Sequence, residues 1–193
     1  MWRSQRFLGR AVLLMMVLAT LLPGVTLAAS LDASRPTVLV TGANRGIGLA
    51  FAQHYTSEGW NVLAAVRAPE RATELLGLAE TYEHLIIEQL DVTDNERILA
   101  LAEAYSNTPI DVLINNAGVY GDIEKQAWGS LDAATFQQVL AVNVLAPMKM
   151  AEAFANHVAA SDQKKIVSIT SGAGMISRDG RPGGGMFYTV SKA

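Results

Sequence analysis

Tyr188 and Lys192 lie four positions apart, so a helix places both on one face. A phenol with an ordinary pKa of about 10 is a poor proton shuttle at neutral pH, and an ammonium beside it stabilises the phenolate. Such a pair can give a proton to an oxygen atom and take it back. On its own this spacing also occurs on ordinary amphipathic helices. A second chemical segment gives it a context. Thr41-Gly42-Ala43-Asn44-Arg45-Gly46-Ile47-Gly48 follows the apolar run Thr37-Val38-Leu39-Val40 and precedes the helix-like run Leu49–Tyr55. Gly42 lets the chain turn sharply, Gly46 lets backbone approach a pyrophosphate, and Gly48 lets the helix pack close to the strand. The first N–H groups of that helix, at its positive dipole end, suit a phosphate. Strand, glycine turn and helix together point to a nucleotide site.

The elements that position these residues alternate along the chain. Short apolar runs rich in β-branched residues predict strands at Thr37–Thr41, Asn61–Val66, Leu85–Leu90, Ile110–Asn115 and Lys165–Thr170, buried on both faces. Helices are expected near Gly46–Glu58, Pro69–Tyr82, Asp94–Tyr105 and Leu131–Ala160, with Thr93 or Asp94 capping the third and Asp132 opening the fourth. Ala133, Phe136, Val139, Leu140, Val142 and Leu145 give the fourth an apolar face, and Pro147 should kink or interrupt it. Repeated βαβ units with right-handed crossovers predict a parallel sheet with helices on both faces. Residues 172–186 hold six glycines and one proline and read as a long loop.

Composition sets outer limits. The chain has 193 residues, half of them apolar and 17% charged, as in one globular domain. It has no cysteine, so disulfides and thiolate metal sites are excluded. His54, His84 and His157 show no ligand spacing, and no metal is expected. Net charge is −3, and the N-terminal stretch carries Arg3, Arg6 and Arg10 with no acidic residue, leaving a more acidic body. That balance, without basic clusters, argues against nucleic acid. Residues 1–28 have the layout of a secretory signal: three arginines, an apolar run Ala11–Leu22, Pro23-Gly24, then small residues at Thr26-Leu27-Ala28-Ala29. The apolar run is short for a membrane span. A secreted or periplasmic protein is expected, with membrane anchoring through residues 11–29 as the alternative and a cytoplasmic protein if the start site is misassigned.

From Arg35 to Ala193 the chain resembles the short-chain dehydrogenase/reductase family. The resemblance rests on segments in family order: Thr41–Gly48, Leu90-Asp91-Val92, Asn115-Asn116-Ala117-Gly118, Val142-Asn143-Val144, Ile169-Thr170-Ser171 and Tyr188-Thr189-Val190-Ser191-Lys192. The wording of the first and third is similar to the C-factor-like and carbonyl-reductase-like branch. The resemblance implies a Rossmann-like, doubly wound α/β domain over residues 35–193. It implies hydride exchange between a nicotinamide cofactor and a carbonyl/alcohol pair on a small molecule. Tyr188 would be the acid and base, Ser171 would orient the substrate oxygen, with Thr170 and Ser168 as its alternatives, and Asn143 would anchor a relay water. Gly42, Asn44, Arg45, Gly46, Ile47 and Gly48 would cradle the pyrophosphate. Asp91 and Val92 would flank the adenine, and Asn115, Ala117, Gly118, Tyr188 and Lys192 the nicotinamide ribose. Asp91 with Thr93 equally suits a turn into the next helix, and Asn115 a tie between strands.

An NAD site usually places a carboxylate at the end of the second strand, whereas a 2′-phosphate needs a cation there. That strand ends Ala64-Ala65-Val66-Arg67, and Arg45 is a second cation nearby in the turn. NADP(H) is therefore favoured over NAD(H). The chain departs from the family in two places. The Ser171–Tyr188 interval is long, and the chain stops one residue after Lys192. An incomplete sheet with its last strands missing is expected, and with it the alternatives of a non-catalytic dinucleotide-binding or signalling protein or an inactive fragment. Family members often associate through their fourth and fifth helices; Leu131–Ala160 offers only the fourth, so a homo-oligomer is a weaker expectation.

Overall fold

The computed structural model describes residues 31–175 and 185–193. The expected leader at 1–28 and residues 176–184 of the glycine-rich loop lie outside them. Five strands form one parallel sheet: β1 (Thr37–Thr41), β2 (Asn61–Val66), β3 (Leu85–Gln89), β4 (Val112–Asn115) and β5 (Lys165–Ser168), in the order β3-β2-β1-β4-β5. Every residue of β1, β2 and β4 is buried, which is why these runs lack polar alternation. Val38 and Val40 face one way with Val62, Ala64, Val112 and Ile114, and meet α1 (Gly46–Ser57) and α2 (Thr73–Thr81). Leu39, Leu63 and Leu113 face the other way, and meet α3 (Asn95–Ala104) and α5 (Ala146–Ala159) through Ile98, Leu101, Met150 and Phe154. Each such side chain contributes roughly 1.5–3 kcal/mol on burial.

The expected strands and helices all form, with shifted ends. Ile110 donates its N–H to the His157 carbonyl (3.1 Å) rather than to a strand, so β4 begins at Val112. The expected helix over Pro69–Tyr82 divides at Ala72 (φ −89°, ψ 59°) into a 3-10 turn, Pro69–Arg71, and α2. The Leu131–Ala160 helix divides into α4 (Ala133–Leu140), a π-turn over Ala141–Leu145 and α5. Pro147 sits in the first turn of α5, where it has no N–H to return to Asn143, and the widened turn absorbs that defect. The larger correction concerns β5. It was expected to be buried on both faces, yet all four residues are exposed, Ile166 by 45% and Val167 by 38%. Among the described residues, only β4 pairs with it.

The chain builds β1, β2 and β3 outward in one direction and then returns to lay β4 on the other side of β1. The loops after β1 and β4 therefore part at the sheet's reversal point. In open α/β sheets that crevice, at the carboxyl ends of the strands, is where ligands bind.

Candidate active site

Thr41 ends β1 at this crevice, and its hydroxyl joins the two diverging loops. It donates to the Ile114 carbonyl (3.3 Å) and accepts from the N–H groups of Asn116 (3.0 Å) and Ala117 (3.1 Å). Asn116 returns the tie: its Nδ2 donates to the carbonyls of Thr41 (2.9 Å) and Gly42 (3.1 Å). Gly42 has φ +67°, and a Cβ there would stand 2.9 Å from the Ala117 Cα. A Cβ at Gly48 would collide with the Gly42 carbonyl oxygen and the Asn116 carboxamide. Only glycine fits either place.

The helix that follows is left open to a ligand. Arg45, its N-cap residue, makes no side-chain cap, and the first turn of α1 holds no acidic group. By contrast Asp94 caps α3 by accepting from Arg97 N–H (3.0 Å), and Asp132 caps α4 by accepting from Thr135 N–H (2.7 Å). Nothing lies within 4 Å of the space above Gly46. These features fit a pyrophosphate at the start of α1. Asn44, Arg45, Gly46 and Ile47 are exposed around that space, and Gly48 is buried beneath it. Arg67 is exposed just past β2. Among the described residues neither Arg45 nor Arg67 joins an ion pair.

On the other side of the crevice, Asn115 is 5% exposed and donates to the Pro147 carbonyl (3.4 Å), while its Oδ1 has no partner. An orphaned buried acceptor costs about 1–3 kcal/mol, and a ligand hydroxyl would satisfy it. Asn115, Ala117, Thr41 and Val92 border one small recess with Ala146 and Pro147. Asp91 does what the turn reading expected: its Oδ1 accepts from the N–H (2.9 Å) and hydroxyl (2.7 Å) of Thr93.

The proton-transfer residues gather around α6 (Met186–Lys192). Tyr188 is half-buried, and Lys192 Nζ lies 5.8 Å from the centre of its ring. Nζ also donates to the Ile169 carbonyl (2.9 Å), which fixes the ammonium beside the end of β5. A Cβ at Gly118 would stand 3.5 Å from Asn143 Oδ1 and 3.9 Å from Lys192 Nζ, so the end of the β4 loop meets both. Ser171 sits across from α6 on the segment after β5. Its Oγ accepts from Ala173 N–H (3.1 Å) and caps a short 3-10 turn, Gly172–Gly174. Thr170 donates to the Lys192 carbonyl (3.3 Å), and Ser168 remains in the β5 ladder opposite Asn115. Asn143 is 6% exposed, and both of its amide protons are committed. Nδ2 donates to the Val119 carbonyl (2.9 Å) and Ser191 Oγ (2.8 Å), and Oδ1 accepts from Val119 N–H (2.9 Å). Asn143 thereby ties the β4 loop to α6.

Thr41, Asn116, Ser191 and Gln126 hold the site together without having been singled out from sequence. For Asn116 the signal was present, since an amide directly after a strand and beside a glycine turn suits such a tie. Gln126 gave no signal, because its partner Phe187 is 61 positions away.

The fold and this crevice define a Rossmann-like, doubly wound α/β domain. The profile of the short chain dehydrogenase family matches residues 36–193. The chain belongs to that family. It is similar to (+)-neomenthol dehydrogenase of Arabidopsis thaliana, with 31% identity over 160 residues, 72% of this chain and 54% of the relative. A short-chain dehydrogenase/reductase of Burkholderia multivorans with bound NADP superposes with a TM-score of 0.71 at 35% identity, over 82% of this chain and 68% of that one. An NADPH-bound carbonyl reductase from chicken fatty liver gives 0.72 at 33% identity, over 82% and 69%. The chain spans about half the length of the curated relatives it matches.

Proposed function

We propose that this chain is the cofactor-binding and proton-transfer part of an NADP(H)-dependent oxidoreductase that interconverts a carbonyl and an alcohol on a small molecule. The observation that carries this reading is convergence. An uncapped helix start with its glycine cradle opens at the sheet reversal point, and the loop that leaves that point from β4 runs at Gly118 beside Lys192, which lies against the Tyr188 ring. NADP-bound relatives of the same fold support the cofactor class. Backbone N–H groups from Gly42 to Gly48 would hold the pyrophosphate, with Arg45 and Arg67 on the 2′-phosphate. Asp91 and Val92 would border the adenine. Asn115 Oδ1, Ala117, Gly118 and Lys192 would meet the nicotinamide ribose. When bound, the nicotinamide supplies hydride to the carbonyl carbon. Tyr188 gives its phenolic proton to the oxygen of that carbonyl. Lys192, held in place by Ile169, stabilises the phenolate left behind. For Ser171 to orient the same oxygen, its hydroxyl proton points outward while its lone pair keeps Ala173 N–H.

The test is NADPH oxidation by the purified chain over a panel of ketones and aldehydes. Turnover in the wild type with a loss of about 10²–10⁴-fold in Tyr188→Phe supports the reading. NADPH binding without any turnover would favour the non-catalytic dinucleotide-binding alternative. For location, we propose that residues 1–28 act as an export signal. A mature N-terminus near Ala29 would support this, and an uncleaved leader in the cytosolic fraction would contradict it.

A further inference from the structure

Gln126 belongs to no motif of the site, yet it is only 4% exposed and its carboxamide is engaged at both ends. Nε2 donates to the carbonyls of Tyr120 (2.7 Å) and Asp122 (3.2 Å), and Oε1 accepts from Phe187 N–H (2.9 Å). The carboxamide thus joins the loop after β4 to the first turn of α6. Its own 3-10 turn, Glu124–Gln126, is pinned to the start of α4 by Asp132 N–H donating to the Lys125 carbonyl (3.0 Å). A side chain at Gly185 would collide with the Gln126 carboxamide, so the approach is close.

α6 needs such outside help. Its seven residues are too few for a helix to stand unsupported. Its N-cap residue, Gly185, has no side chain to satisfy the first N–H groups, and Gln126 Oε1 supplies an acceptor from another segment. The loop that Gln126 holds also carries Tyr120, whose ring lies 4.2 Å from the Tyr188 ring, tilted by 37°. Phe187 packs edge-on against Phe136 of α4 at 5.1 Å. Gln126 therefore sets the start of the helix, and through Tyr120 it braces the phenol one residue further on.

We propose that Gln126 is a positioning residue for Tyr188, clasping α6 to the Tyr120–Asp122 loop so that the phenol is held at the substrate oxygen. This rests on the reading of Tyr188 as the proton donor. A displacement of about 1 Å at a reacting group can cost about 10²-fold in rate. The effect should fall more on kcat than on cofactor affinity, because, of the proposed cofactor contacts, only those of α6 would move, while the phosphate cradle lies on β1 and α1.

The test compares Gln126→Met, Tyr120→Leu and Tyr188→Phe in the full chain. It reads kcat and KM for carbonyl reduction, the NADPH Kd by fluorescence, and amide hydrogen exchange at Phe187. Gln126→Met should lower kcat by about 10–100-fold. It should weaken NADPH binding much less than it lowers kcat, and speed Phe187 exchange by about tenfold. Tyr120→Leu keeps the carbonyl that Gln126 uses. It should lower kcat in the same sense without changing Phe187 exchange, and it carries the test if Gln126→Met does not fold. Unchanged kcat in the folded Gln126 and Tyr120 variants, with turnover lowered at least about 10²-fold in Tyr188→Phe, overturns the positioning role alone. A joint loss of kcat, NADPH binding and thermal stability in Gln126→Met, with Tyr120→Leu at wild-type kcat, overturns it as well. Turnover in Tyr188→Phe within about tenfold of wild type overturns the reading of Tyr188 instead, and the positioning role falls with it.

Discussion

At the scale of single residues, Arg45 at the start of α1 and Arg67 past β2 present two exposed guanidiniums, which in the proposed function would carry cofactor choice. A charge-assisted bond from each to a 2′-phosphate contributes about 1.5–3 kcal/mol. Arg45→Ala combined with Arg67→Ala should weaken NADPH binding at least about tenfold and spare NADH, as read by fluorescence titration. Equal loss of both would remove the selectivity argument. The sequence pointed to these residues because a 2′-phosphate would demand a cation at a particular strand end. Tyr188 and Lys192 were legible for a similar reason, since four positions on a helix mean one face. Asn143 was placed at the site from sequence, but its work was not visible there. Its amide bonds reach Val119 and Ser191 across 24 and 48 positions, and no local pattern encodes that.

At the scale of elements, the glycine turn and the caps follow from local chemistry, and each yields a prediction. In Gly48→Ala the added methyl meets the Gly42 carbonyl and the Asn116 carboxamide. Overpacking of that kind costs about 1–3 kcal/mol. The variant should bind NADPH poorly in fluorescence titration and melt at a lower temperature by calorimetry. Asp132 at the start of α4 is held below the usual carboxylate range by the Thr135 N–H and hydroxyl. A depressed carboxylate stabilises the fold above its unfolded value, and that stability is lost as pH falls through the lowered value. Unfolding followed from neutral to acid pH should show a step below about pH 4 that Asp132→Asn removes. The division of Leu131–Ala160 was only half legible. Pro147 announced an interruption, but the fold places the widened turn just upstream, over Ala141–Leu145, where it brings Asn143 inward.

At the scale of the whole molecule, a parallel sheet with helices on both faces was implied by the alternation of elements and by the crossover rule. Burial at the sheet's two edges was not. β3 is part-covered, and at that edge Tyr105 donates to Glu88 (2.6 Å) with Arg97 on the other carboxylate oxygen (3.5 Å). Burial, then the bond to Glu88, pushes the Tyr105 phenol above its ordinary value of 10.0. A raised group keeps its stabilisation below the unfolded value and loses it as pH rises past that point. Stability should therefore decline above about pH 10, and Tyr105→Phe should flatten that decline in denaturant titrations. β5 has the same kind of sequence as the central strands yet stands exposed, because what covers a strand lies in distant chain rather than in its own residues. The central claim is that the crevice at the sheet reversal and the Tyr188–Lys192 pair make one carbonyl-reducing site. The most direct measurement is mass spectrometry of the product formed from a ketone and NADPH carrying deuterium at the transferable position of its nicotinamide. A single carbonyl-reducing site gives an alcohol with deuterium on the former carbonyl carbon in the wild type, formed about 10²–10⁴-fold more slowly in a Tyr188→Phe variant that still binds NADPH. Label formed equally fast in both proteins, or no label in a wild type that binds NADPH, would contradict it.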